Sequence, residues 1–349
     1  MRKLGVLLTG IFMAISLAGF SQNAQVQIIH NSPDVATDTV DVYVNNNLAI
    51  EDLAFREATP FTTLPAGSQL NIGLAPNNTS SADIVKTFQV TLSAGTNYVA
   101  VVNGIVQTSL YEPDSTLSLD IRANARTSAA SSGDVDLLLH HGSTDAPTVD
   151  VTNPSLGTVS NDLTYQSYDG YVSLSPGDYT INVETANNAL TAASFTAPLS
   201  TLGLADSALT VVASGFLNPS NNNNGPGFGL YAALPEGGPL IELPRKTAEA
   251  QIIHNSPDAA ADTVDVYVNG SLAVEDLAYR ESTPFVDIPG GLVNIGIAPN
   301  NTSTIVDNFT PNLKVDSSYL GVVNGVVQTG LYEDSQPLSL DVRAGRPQQ

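Results

Sequence analysis

Four histidines are the only imidazoles in the chain, and they recur at one place: His30, His140 with His141, and His254 each end the first strand-like run of a repeated unit. Imidazole titrates near neutrality and serves as a general base or a metal ligand. It also closes a strand by hydrogen bonding into a following turn, here Asn31-Ser32-Pro33-Asp34 and its counterparts. Closure is the expected role, because three copies of one fold need the same closure three times.

Carboxylates cluster just beyond these histidines. Asp34, Asp38 and Asp41, with Asp258, Asp262 and Asp265 in the last unit, offer oxygens to a hard cation such as calcium, which takes roughly 6–8 of them. Their spacing does not fit an EF-hand, and Asp41 falls inside a strand pattern. The expectation is therefore turn carboxylates in water, with no bound metal and no cofactor. Arg56 and Arg280 stand out because cations are scarce; a local ion pair with Asp52 or Glu51 is expected at Arg56, and a ligand-clamping guanidinium is the sharper alternative. Tyr43, Tyr267 and the Leu-Tyr-Glu loops at Tyr111 and Tyr332 present flat apolar rings with polar tips, as a carbohydrate face requires. Partly buried sheet tyrosines are the simpler expectation. Asn77-Asn78-Thr79 and Asn300-Asn301-Thr302 match a glycosylation sequon but equally suit a tight turn, which is the reading taken here. No nucleophile elbow, zinc-protease helix or phosphate loop occurs, and no enzymatic activity is expected.

The elements that must position these groups are strands. Val40, Val42 and Val44 alternate with Asp41, Tyr43 and Asn45, a period of two that points the valines into a core and Asp41 and Tyr43 outward. Leu70, Ile72 and Leu74 repeat the pattern, as do Leu117, Leu119 and Ile121. After Gly67 the apolar positions lag by one residue relative to those after Gly177 and Gly291, so the first unit must absorb a residue in its turn or in a bulge. Glu51 to Glu57 is the one non-strand pattern, read as a helical turn or a bent loop.

The units are internal copies. Gln27–Phe61 aligns without gaps on Gln251–Phe285 with 28 of 35 positions identical, and the match resumes at Asn71 and Asn294 and at Val101 and Val322. A diverged middle copy carries LLLHHGSTDAPTVDV from Leu137; in it Leu230-Tyr231 is aligned with Leu110-Tyr111, and the segment Asn218 to Gly227 reads as an expanded loop. Thr152 stands in place of Tyr43 there, and Gln166 in place of Arg56. The expected organisation is a signal peptide over 1–21 and β-sandwich repeats over 22–126, 133–245 and 249–345. The fold class is all-β, three tandem immunoglobulin-like sandwiches, separately cored, joined by linkers at Ala123 to Gly133 and Arg245 to Glu249.

Charge and composition narrow the function. Twelve basic against 34 acidic residues give a net charge of −22, which excludes a nucleic-acid binder or an anionic-membrane binder. With no cysteine there is no disulfide, no thiol nucleophile and no lipoprotein anchor. Arg2-Lys3, an apolar run from Leu4 to Ala18 and Gly19-Phe20-Ser21 form an export signal cut after Ser21, with no membrane insertion expected afterwards.

The motif His-Asn-Ser-Pro-Asp followed by Thr-Val-Asp-Val-Tyr-Val, at His30 and again at His254, resembles the domain of unknown function 4397, as do His-Gly-Ser-Thr-Asp at His141, the Leu-Pro-Ala-Gly turn at Leu64 and Tyr-Val-Ala-Val-Val at Tyr98. The resemblance spans nearly all of the mature chain and implies secreted or surface bacterial proteins of tandem sandwiches, without an activity to carry over. The Ser21-Gln22 junction resembles export signals of Bacteroidota. The expected function is a secreted or cell-surface (alternatively periplasmic) non-catalytic module protein, structural, adhesive or partner-binding, meeting a protein or glycan at the cell surface. The alternative is a soluble carbohydrate or small-molecule binding protein with equivalent sites on the first and third repeats.

Removal of the leader leaves ten basic residues and a balance of −24. Carboxylates then repel across each small domain, and salt shortens the screening length from ~30 Å at 0.01 M to ~3 Å at 1 M. Thermal unfolding of the leaderless chain at pH 7 is expected to shift to higher temperature between those NaCl concentrations; a flat or falling midpoint would remove the case for a saline working environment.

Overall fold

The computed structural model describes residues 23–186, 190–333 and 335–345. The expected signal peptide lies outside these residues. Among them every long element is a strand, and helical geometry is confined to short 3-10 turns such as Val35–Thr37.

In the first repeat Asn23–His30 runs parallel to Asn97–Asn103, which pairs antiparallel with Ser118–Ala123. Thr62–Pro65 and Glu57–Ala58 line the other edge of Asn23–His30. A second sheet, ordered Asn47–Ala54, Thr39–Val44, Gln69–Pro76 and Lys86–Thr91, faces the first. The same plan returns around Val135–His141 and Ala208–Ser214, and around Thr247–His254 and Ser318–Asn324. Period-two alternation dictates this layering, since one side of each strand must leave water. Val26, Ile28, Val40, Val42, Leu70, Ile72 and Leu74 form the first core. The second gathers Leu137, Val149, Val151, Ile181 and Phe195, and the third Ile252, Val264, Val266, Val293, Ile295 and Ile297.

Asp41 and Tyr43 point away from the core as the alternation requires, but the expectation that they face water is overturned. They lie on the face opposite Val40 and Val42, yet Asp41 is 3% and Tyr43 6% exposed. Asp41 folds back to accept the Asp52 N–H at 2.9 Å, and the Tyr43 hydroxyl approaches the Thr79 carbonyl. Of the two readings of Glu51 to Glu57 the bent segment holds and the helical turn does not: the strand Asn47–Ala54 bulges and then turns at Phe55–Arg56, with Asp52 at φ +54° and Arg56 at φ +61°. Aspartate tolerates this left-handed backbone, and the bulge re-aims the segment that carries Arg56.

The repeats are not all separately cored. A further cluster joins Ile29, Ala58, Val99 and Val101 of the first repeat to Val212, Tyr231, Ala233 and Leu240 of the second, with Ala125 of the connecting segment buried among them. The sheets merge as well, because Gly238–Pro239 pairs with Glu57–Ala58. The expected linker is pinned too: Arg126 reaches Asp136 at 2.6 Å and its guanidinium lies 4.5 Å from the centroid of the Tyr171 ring. The consecutive apolar residues Ile28-Ile29 and Val99 to Val102 break the alternation and leave both faces apolar, and the second repeat covers the outer one.

Val101 and Val212, both fully buried, meet in that shared cluster. Truncating either to alanine is expected to cost about 2 kcal/mol. Because the two belong to one core, the double variant should depart from additivity by about 0.5 kcal/mol or more. Urea unfolding of the four proteins measures both quantities.

Candidate functional site

A single aspartate organises the end of each repeat where the sequence placed its chemistry. Asp34 Oδ2 accepts the N–H groups of Val106 and Gln107, both at 2.7 Å, and Oδ1 accepts the Ala36 N–H at 2.9 Å and the Tyr111 hydroxyl at 3.2 Å. Asp258 repeats the set with Val327, Gln328, Ala260 and Tyr332. Asp145 takes Leu217, Asn218 and the Asn222 side chain. The receiving loop is set by a glycine: Gly104 has φ +80°, and a Cβ there would collide with the Thr116 carbonyl. These carboxylates are not solvated turn groups, since Asp34 and Asp258 are each 1% exposed. Nor are the calcium candidates brought together: Asp34 and Asp258 hold loops, Asp41 and Asp265 hold bulges through the N–H groups of Asp52 and Asp276, and Asp38 and Asp262 end 3-10 turns. Among the described residues no three His, Cys, Asp or Glu side chains form a metal-holding group.

His30, His141 and His254 close their strands. His30 Nε2 donates to the Thr37 carbonyl at 2.6 Å while Nδ1 accepts the Ser32 N–H at 3.3 Å, and His254 does the same with Ala261 and Ser256. His141 bonds to the Pro147 carbonyl. Burial pushes the His30 imidazole down to about 4, against the partial support of the Thr37 hydrogen bond and Asp38, and burial likewise lowers His140, His141 and His254. Both ring nitrogens of His30 and of His254 are engaged by backbone groups, whereas His140 and His141 each keep a buried Nδ1 without a hydrogen-bond partner.

Arg56 makes no local ion pair. Its Nε donates to Ser214 Oγ at 3.0 Å and a terminal nitrogen to the Gly227 carbonyl at 2.9 Å, while the guanidinium lies 3.8 Å from the centroid of the Tyr231 ring. In the opposite direction His140 Nε2 reaches Asp120 at 3.1 Å, and the Tyr168 hydroxyl donates to the Asp120 carbonyl at 2.7 Å. Asn31 bridges the Asn103 side chain and the Gly142 carbonyl. Tyr111 stacks on Phe216 with centroids 5.4 Å apart, and the Glu112 N–H bonds the Asn222 side chain. A cleft of about 230 Å³ opens beside this contact, lined by Pro33, Asp34, Tyr111 and the loop Asn223–Pro226.

Of the sequence candidates, Asp34, Tyr111 and Arg56 come together at the contact of the first two repeats. Tyr43 and Tyr267 lie away from it on the other sheet, where each hydroxyl caps a loop carbonyl. Arg280 and Tyr332 occupy the corresponding places in the third repeat, but there Arg280 is exposed and rests only over its neighbour Tyr279. The first and third repeats are therefore not equivalent, because one of the two faces is already covered. Alignment of Tyr231 with Tyr111 also fails. Tyr231 pairs with Val212 as Asp120 pairs with Val101, so these two share a register position, and the counterpart of Tyr111 is Asn222. The Asn-rich segment is a loop of unchanged length, since Gly104 and Ser118 are spaced like Gly215 and Gly229. Sequence reasoning named His140 only for strand closure and missed Tyr231, Asp120 and Phe216 as contact residues; their signal was the loss of Arg56 and Asp120 together in the middle copy.

The family model described as "Domain of unknown function (DUF4397)" matches residues 24–152, 135–224 and 248–343. No curated protein matches the chain. Among solved structures, the TIE protein of Bacillus anthracis aligns with 87% of this chain and 50% of its own, at 9% identity and a TM-score of 0.17. This chain thus spans about half the length of that structure.

Two outcomes test the buried groups. The His30 ring is held at about 4, below the 6.5 of the free side chain, so between these values the unfolded chain binds a proton that the folded chain refuses. Stability is complete above pH 6.5 and declines as pH falls to 4, by roughly 3 kcal/mol for His30 alone. Urea midpoints between pH 7 and 4 measure it, and His30→Gln should flatten the profile. Replacing Asp34 or Asp258 with alanine strands two consecutive loop N–H groups and should cost about 3 kcal/mol; exchange of the Val106 and Gln107 amides, or of Val327 and Gln328, should accelerate.

Proposed function

This chain belongs to the DUF4397 family, and on that premise we propose that it is a secreted or cell-surface, non-catalytic protein whose β-sandwich modules work as structural, adhesive or partner-binding units. One observation supports the reading: the outer sheet face of the first repeat is buried against the second repeat of the same chain through an apolar centre and a polar border. Such a centre ringed by hydrogen bonds is the anatomy of a recognition interface. Groups that could have served catalysis are engaged structurally: His30, His141 and His254 in strand closure, His140 in the contact with Asp120, and Asp34, Asp41, Asp258 and Asp265 on loop and bulge N–H groups. Export of the acidic chain fits a surface role, since its charge keeps it soluble without attracting nucleic acid.

Cells displaying residues 22–349 on their surface are expected to adhere to one another, and the soluble chain to compete. The same chain should be silent on a glycan array and should turn over no glycoside, ester or peptide substrate. Array binding that disappears in Tyr332→Ala would replace this reading with carbohydrate recognition, and turnover of any substrate would overturn it.

A further inference from the structure

We propose that the outer sheet face of the third repeat, centred on Ile253, Leu320 and Val322 with Arg280 at its border, pairs with the same face of a second copy of this chain about a two-fold axis. The inference rests on the reading of the modules as interaction units and names their partner.

The contact between the first two repeats is itself nearly two-fold. Positions related by the internal repetition meet each other: Asn31 bonds Gly142, Val101 and Val212 share one cluster, and the loop of Tyr111 and Glu112 meets that of Phe216 and Asn222. Arg56 crosses one way to Ser214 and Tyr231, and His140 and Tyr168 cross the other way to Asp120. A patch that meets its own equivalent is the geometry of an isologous dimer. The third repeat is a close copy of the first, and it carries that patch uncovered. Ile29, Val99 and Val101 are buried, whereas Ile253, Leu320 and Val322 are only partly so. Tyr111 is 6% exposed and Tyr332 39%, and Phe285 stands 49% exposed.

Charge identifies the occupant. In the existing contact the Arg56 guanidinium sits over Tyr231, whose register position is held in the third repeat by Asp341, paired with Val322 as Tyr231 is with Val212. Two third repeats docked in the same way bring Arg280 of each copy to Asp341 of the other, two reciprocal guanidinium–carboxylate pairs. Both residues are exposed in the single chain. The second repeat cannot serve as partner within the chain: its complementary face holds the first repeat, and it meets the third at another edge, where Asn312 bonds the Thr191 carbonyl. One feature differs. At the axis the second repeat has Gly142, and a Cβ there would collide with the Asn31 amide nitrogen. Two third repeats bring Asn255 against Asn255, and one amide must turn aside.

Sedimentation velocity of residues 22–349 in ~0.15 M NaCl, from about 1 to 100 µM, tests the pairing. A concentration-dependent dimer is expected. Arg280→Asp and Asp341→Arg should each weaken it roughly tenfold or more, and the double exchange should restore it, which a general loss of folding could not do. Asn255→Gly should tighten it. A monomer throughout, or a dimer indifferent to both charge reversals, overturns the pairing. If displayed cells still adhere while the chain stays monomeric, the pairing fails and the interaction reading stands; loss of adhesion as well removes both.

Discussion

A carboxylate in the turn just beyond the first strand holds the rest of each repeat in place. Asp34, Asp145 and Asp258 each accept two consecutive backbone N–H groups from the loop that follows the central strand, and they thereby tie the two parallel strands together at one end. Asp34 and Asp258 are buried and Asp145 partly so, and a charged acceptor taken out of water persists only when its lone pairs are filled, as each of these is. In Asp258, hydrogen bonds from Ala260, Gln328, Tyr332 and Val327 outweigh the upward push of burial and hold the carboxyl below its usual value. The loop so held presents Tyr111 to Phe216, and the contact between repeats rests on that placement.

That contact shows how duplicated domains become complementary. Where the first repeat has Asp120, the second has Tyr231, which receives the Arg56 guanidinium on its face. Where the first has Ile29, the second has His140, a neutral ring that answers Asp120. Burial outweighs Asp120 in setting the His140 proton equilibrium, so at neutral pH this is a hydrogen bond and not an ion pair. Gly142 removes the side chain that would obstruct Asn31. Three changes turn a self-complementary patch into a matched pair with a preferred partner, the usual route by which related interfaces acquire specificity.

The acidic surface coexists with this buried order. Of the few basic residues, Arg126 is spent on Asp136 at the junction of the first two repeats and Lys246 on Asp316 near the start of the third. Each cation lies in a segment that leads from one repeat into the next and pairs with a carboxylate of the repeat that follows.

Alternation and repetition in the amino-acid order determined the strands, the three copies and the all-β class, because a period of two has only one way to hide its apolar side in a sandwich. Turn chemistry likewise marked the His-Asn-Ser-Pro-Asp closures. What the order alone misjudged was the fate of side chains on the second face of a strand. Asp41 and Tyr43 read as outward residues and Arg56 as a local ion pair, and burial on that side depends on what another segment brings to it. Two nearly identical repeats illustrate the point: Arg56 and Arg280 share their local sequence, yet one is covered by Tyr231 and the other is open. Local sequence sets which way a side chain leaves the strand, and only the tertiary arrangement decides whether water or protein waits there.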